Sequence, residues 1–325
     1  MRQNSTNKLM TLNFWRMCTA NLLLFASVYM LFPLLPFVMR QQLGISIGQV
    51  GSMFLAFAAA MFVVGPFHAH LVDEYKRKHV LLYSLLVMLA ATLGYAFVDS
   101  YAHLLLLAVV QGACFGLAAT AGITVAIDIT TSARRSAGNI VYAWAARLGM
   151  LVGVVLGVWL YKVYGFRTVI YLSVAAGLFS IFFASRVYVA FRAPIGVPWC
   201  NADRFLLSRA WLPAINMVLI AFVPGVLLPL MFVGDYWSLL ALGVLAFVTV
   251  PFTRMFVKLS YHCQRGTANT TCHLSMETGI LIGMAVACHL MDKAQIYHAG
   301  SVAALLSLFC FVLLAYPYYK KKRVR

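Results

Sequence analysis

Two ionisable residues lie deep inside apolar stretches of this chain, Arg147 and Glu277. An unpaired guanidinium in such surroundings costs at least ~2.5 kcal/mol, so intramembrane charges usually face a bundle interior or a wet cavity. Arg147 is therefore a candidate for holding an anionic group, or an arginine that snorkels back to a polar surface along its own stem. Glu277 sits where a low dielectric penalises the charged form, which suits proton exchange. The helix dipole also favours an acid in the first turns of a helix, so a purely local role stays open. Asn21, Tyr29, Gln111, Tyr142 and Asn216 add neutral donors and acceptors that could line a cavity or hold helices together. The densest early polar run is HLVDEYKRKH, His70 to His79, with two acids and three bases between long apolar segments.

Other chemistry finds little support. No H-E-x-x-H or G-x-x-x-x-G-K-S/T pattern is present, and the one G-x-S-x-G match, Gly44 to Gly48, falls between two long apolar runs rather than on a strand-to-helix turn, which argues against an enzyme and against a nucleotide-driven pump. His262-Cys263 and Cys272-His273 offer soft ligands but lack the spacing of a zinc site. No metal and no cofactor are expected, and a proton gradient is the expected energy source.

The elements that position these residues follow from hydropathy. Of 325 residues, 63% are hydrophobic and 10% charged, with mean hydropathy +0.89. Soluble domains carry roughly 25% charged residues, so lipid must be the solvent here. Apolar runs of about 20 residues cross a bilayer as helices. Ten are expected: Phe14–Val38, Gln49–Val72, His79–Val98, Ala102–Ala126, Asn139–Tyr161, Thr168–Val187, Trp211–Val233, Tyr236–Val257, Thr271–His289 and Ala299–Tyr318. The first is expected to stay as an anchor. The fold class is an all-α polytopic membrane protein.

The net charge of +17 reports topology rather than nucleic acid. With the N-terminus in the cytoplasm, most bases fall in inside segments, while the outside segments hold only Arg40, Lys162, Arg167 and Lys293. That asymmetry predicts both termini inside. Expected partners are the lipid bilayer and a small-molecule substrate, with no nucleic acid; the oligomeric state is not legible.

Six spans precede Val187 and four follow Trp211. We therefore expect a six-helix bundle over 1–187, a linker over 188–210 and a four-helix bundle over 211–325. The stretch from Trp211 to Arg325 is too short for six spans with loops.

Several motifs in order resemble the major facilitator superfamily. Ala69-His-Leu-Val-Asp73-Glu-Tyr-Lys76-Arg77-Lys78 resembles the motif after that family's second span, matching at Asp73, Arg77 and Lys78 but not at its glycines. Gln111-Gly112-Ala-Cys-Phe-Gly116 is similar to its fourth-span motif. Asp128 with Arg134 and Arg135 resembles the acid and paired bases that follow that span. Gly149, Gly153 and Gly157 resemble the glycine-rich fifth span, and Arg265-Gly266-Thr267-Ala268-Asn269 the entry to the eleventh. The resemblance implies a 6 + 4 bundle lacking the eighth and ninth helices. It also implies a midplane site worked by alternating access, and a latch in which Asp73 docks on the N-terminal end of the Thr271 helix. Arg77 is expected to face Asp128. The glycines permit close helix packing; a seal against substrate leak is the other reading. The expected function is proton-coupled efflux of a small organic solute by an antiporter of the bacterial-type inner membrane. The alternative is a transport-incompetent remnant or membrane scaffold.

Overall fold

The computed structural model describes residues 9–131, 133–190, 194, 196–261, 264–290 and 292–323. Among them the regular elements are helices, with no strand. We number the α-helices α1 Leu12–Leu31, α2 Leu35–Leu43, α3 Ile47–Val63, α4 Gly65–Glu74, α5 Arg77–Gly94, α6 Tyr101–Asp128, α7 Arg135–Tyr164, α8 Phe166–Ser185, α9 Trp211–Leu227, α10 Trp237–Leu259, α11 Arg265–His289, α12 Lys293–Cys310 and α13 Tyr316–Lys322. Among the described residues nine helical stretches are long and apolar enough to cross a membrane, and the bent pair α3–α4 makes a tenth. Counted as ten crossings, these described spans return the end of α13 to the face on which α1 begins. We call that face, which carries Lys76–Lys78, Lys258 and Lys320–Lys322, the basic face.

Local chemistry explains the helix starts. The Thr11 side chain accepts from the Phe14 N–H, and the Ser100 side chain accepts from the His103 N–H. Ser46 and Gln49 form a reciprocal capping box at α3. Proline explains most departures from the expected spans. The first span is not continuous, because the segment with Pro33 and Pro36 breaks it into α1 and α2. The second bends by 49° at Val64, just before Pro66. The last passes through a π-helical stretch, Phe311–Ala315, as it meets Pro317. Three starts also shift by four residues or more, among them α12, which begins at Lys293 rather than Ala299. α11 begins at Arg265 rather than Thr271, so the Arg265–Asn269 stretch is helix and not entry loop. α7 begins at Arg135, four residues earlier than expected.

Two close seams organise the bundle. α7 packs on α1 with Gly149, Gly153 and Gly157 against the backbone of Leu22, Ala26 and Met30; an added Cβ would strike those carbonyl oxygens. α11 packs on α9 in the same way, through Gly279 and Gly283 against Val218 and Phe222. Contacts of α3, α6 and α7 with α11 and α10 join the first eight helices to the last five. Exposed Leu148, Val152, Trp159, Leu305 and Phe309 are then lipid-facing, as a membrane solvent requires.

Candidate functional site

Arg147 and Glu277 meet. Arg147 lies twelve residues into α7, about 18 Å along its axis. Glu277 lies twelve residues into α11, far beyond the first turns where a dipole role would apply. Their side chains are 5% and 1% exposed, and Nη1 of Arg147 stands 3.8 Å from Oε1 of Glu277. That distance is an ion pair without a hydrogen bond. The Tyr29 hydroxyl donates to Oε2 of Glu277 at 2.7 Å, and His273 Nδ1 stands 3.8 Å from Oε1. Nε of Arg147 and Oε1 of Glu277 are buried with no hydrogen-bond partner among the described residues. The pair is thus held in place but not saturated. Arg254, another conceivable partner for Glu277, is exposed.

Beside the pair lies a cavity of about 40 Å³, room for about three waters. Helices α1, α6, α7, α10 and α11 line it, through Asn21, Phe25, Ile123, Asn139, Tyr142, Arg147, Thr253, Asn269, Cys272 and His273 among others. The walls are aromatic and aliphatic, with a few amides and the single guanidinium. Asn21 Nδ2 donates to the Tyr142 carbonyl at 2.9 Å, so it both lines the cavity and ties α1 to α7. The His273 ring packs edge-on against Phe25, with centroids 5.3 Å apart. The sequence does not single out Asn139, and it presents Asn269 only within the Arg265–Asn269 entry motif and His273 only as a soft ligand beside Cys272. The spacing of Asn269, His273 and Glu277, four residues apart along α11, is the signal that could have found them.

Two expected site residues sit elsewhere. Gln111 donates to Thr92 Oγ1 at 3.0 Å and accepts from the Tyr95 hydroxyl at 2.9 Å, fastening α6 to α5 and the turn after it. Asn216 donates to the Ser307 carbonyl at 2.6 Å, fastening α9 to α12. Neither lines the cavity, and a buried amide between helices is well used as such a tie. The glycines Gly149, Gly153 and Gly157 form the α1–α7 seam described above.

On the basic face Arg77 pairs with Asp128, as the sequence suggested. Asp73 bonds the connecting segment. Its Oδ2 accepts the Val197 N–H at 3.1 Å, from the segment that connects α8 to α9. His70 Nδ1 meets the Val197 carbonyl at 2.8 Å, and the Asn201 N–H donates to the Pro66 carbonyl at 2.9 Å. The buried Phe205 ring fills the notch at Gly65, edge-on to Phe62 and His68. The same segment then turns to α11. Thr267 Oγ1 donates to the Arg204 carbonyl at 3.1 Å, and the Leu207 N–H donates to Thr271 Oγ1 at 2.9 Å. The connecting segment is a strap bonded to α4 on one side and α11 on the other. Lys78 is half-buried near Asp73 and Asp128 in a separate surface cavity. Arg134 and Arg265 are exposed, and Arg135 is half-buried at the start of α7.

On the opposite face the closure is aromatic. Phe37 stacks on Phe232 with centroids 4.2 Å apart, Tyr161 lies 5.4 Å from the same ring, and His289 fits against Gly48 and Gly51. No group of three or more metal-ligating side chains occurs among the described residues, while His262 and Cys263 lie outside them.

A buried, unsaturated charge pair beside a narrow cavity, with closures above and below, is the anatomy of a membrane carrier. The profile of the Major Facilitator Superfamily matches residues 17–317, and the chain belongs to that family. It is a membrane transporter by family and fold. Among solved structures it is similar to the human organic anion transporter MFSD10 (TETRAN). The TM-score is 0.60 and the identity 15%, covering 93% of this chain and 99% of that one. No curated protein gave a sequence match.

Proposed function

We propose that the protein is a secondary active carrier that moves a small organic anion with a proton, by alternating access around Arg147 and Glu277. The observation that carries this is the 3.8 Å gap between them. Arg147 can serve Glu277 or a substrate anion, not both fully. When an anion takes the guanidinium, Glu277 loses its countercharge in a low dielectric, where proton uptake relieves the cost. Anion and proton therefore occupy the carrier together. That linkage favours their co-movement over the antiport that efflux would need. The glycine run of α7 is accounted for by the α1–α7 seam. The neighbour's description as an organic anion transporter agrees with the anion reading, though at 15% identity it speaks for the fold alone.

In this proposal the basic face is cytoplasmic by the positive-inside rule, in a bacterial-type inner membrane. The bundles 1–187 and 211–325 rock about the cavity, and the strap over 196–210 releases when the cytoplasmic side opens. The packing supports the 6 + 4 plan. α10 touches α7, α11 and α9 as α6 touches α11, α7 and α1. α10 is thus the counterpart of the fourth span, and the pair missing between α9 and α10 is the eighth and ninth. The test is uptake of labelled hydroxylated carboxylates and sulfonates, which leak little, into liposomes holding the whole protein under a pH gradient. Uptake above protein-free liposomes that collapses without the gradient is expected. Its absence for every anion would return the chain to the class of incompetent remnants.

A further inference from the structure

Asn269 is the least explained polar residue beside the cavity. It lies four residues into α11, is 7% exposed and lines the cavity, yet neither its Nδ2 nor its Oδ1 has a hydrogen-bond partner among the described residues. Buried side-chain amides are nearly always bonded, and an unmade bond costs the desolvation of the group. Gln111, by contrast, has both amide atoms engaged, and Asn21 and Asn216 each donate across a helix seam. Asn269 ties nothing to anything. It stands one turn from His273 and two from Glu277 on the same side of α11, about 12 Å along the axis from the level of the charge pair.

We propose that Asn269 is the second recognition point for the substrate. It would read a group that both donates and accepts, an amide or a hydroxyl, at the end of the molecule remote from the anion. This rests on Arg147 as the anion subsite and adds the other half of the ligand. The rise of about 12 Å along α11 is a backbone separation that the side chains at both ends shorten, so the ligand is a short two-ended molecule such as a dicarboxylic half-amide, admitted when the cavity of this closed arrangement widens. The substrate class is therefore a compact organic anion with a terminal amide or hydroxyl, and not a simple fatty acid. A carboxamide side chain suits this role because its carbonyl accepts and its NH₂ donates, so it matches a partner amide at both atoms.

The probes are the half-amides of succinate, glutarate and adipate, each paired with its isosteric straight-chain acid. Binding to the purified full chain is measured by titration calorimetry. Wild type should bind at least one half-amide roughly tenfold more tightly than its isostere, two hydrogen bonds' worth of preference. Asn269→Leu should lose that preference while still binding the plain acid. Because the replaced amide has no partner to abandon, Asn269→Leu should also unfold at the same temperature as wild type or higher. An Asn269→Leu protein that melts lower, or that keeps the half-amide preference, overturns the proposal, as does wild-type binding with no preference. If neither compound binds wild type, or both bind Arg147→Met unchanged, the anion subsite itself fails and takes this proposal with it.

Discussion

Glu277→Gln is the most informative single change, because it removes a charge without removing volume. At 3.8 Å and an effective dielectric near 20, the attraction between Arg147 and Glu277 is about 4 kcal/mol. Breaking a buried pair from one side usually costs about 3–5 kcal/mol, since the surviving charge is left desolvated. The neutral amide keeps a bond to the Tyr29 hydroxyl, which now donates to a neutral acceptor. We expect Glu277→Gln and Arg147→Met each to lose about 3 kcal/mol, and the double variant to lose far less than their sum. A coupling of about 2–3 kcal/mol from thermal unfolding of the four proteins would measure the pair. Transport separates the roles. Glu277→Gln should still exchange labelled anion across liposomes at equal pH, but a pH gradient should no longer drive accumulation. Arg147→Met should do neither. Additive single losses would show that the two charges do not sense each other. Accumulation by Glu277→Gln at the wild-type rate would remove the proton site.

Three further outcomes follow from the same geometry. Gly153→Leu should cost upwards of about 1–3 kcal/mol by overpacking the α1–α7 seam, while Gly243→Ala, with open space around its Cβ, should be neutral or stabilising by thermal shift. Phe205→Ala empties the notch at Gly65 and loosens the strap, so peptide mapping in a Cys200→Ser background should show faster maleimide labelling of the buried Cys272; an unchanged rate would mean that the strap does not guard the cavity. Asp235 joins the loop before α10 to Lys293 and Tyr297 of α12. Burial pushes its carboxyl up, but bonds from Lys293, Tyr297 and the Trp237 N–H outweigh that and hold it below the usual carboxylate range. The depressed value stabilises the fold above the unfolded pKa and is lost only as pH falls through the folded one. The wild-type melting temperature should thus hold steady from about pH 5 to 8, and Asp235→Asn should lower it there but not under strong acid.

Much of the fold was legible because lipid demands long apolar helices, and ten expected spans have ten counterparts in the structure. What the sequence hid was local. Pro33, Pro36 and Pro66 announce bends but not where the chain resumes, so the first two spans read as continuous. Arg147 and Glu277 stood out because charge is rare in such runs. Their pairing did not, since nothing in one dimension says that α7 and α11 face each other. Gln111 and Asn216 look like Asn21 in sequence; only packing separates a cavity amide from a helix tie. Asp73 shows the opposite failure. Its need for donors is legible in the sequence, but nothing in one dimension says that the segment joining α8 to α9 folds back to supply one.

The proposed 6 + 4 plan raises the question of how a transporter could do without two crossings and keep a site. The five helices that line the cavity, α1, α6, α7, α10 and α11, are all present. The two glycine seams that brace them, α1–α7 and α9–α11, are intact and built alike. On the proposed assignment the missing eighth span is the counterpart of α3, which packs against α11. Its loss would bare the apolar face of α7 around Leu148, Val152 and Val155, residues that are exposed here. Lipid can cover such a face at little cost, because acyl chains are as apolar as leucine. An abridged bundle can therefore keep its charge pair dry and its amides in place, provided that the polar residues sit on retained helices. Arg147, Glu277, His273 and Asn269 all do.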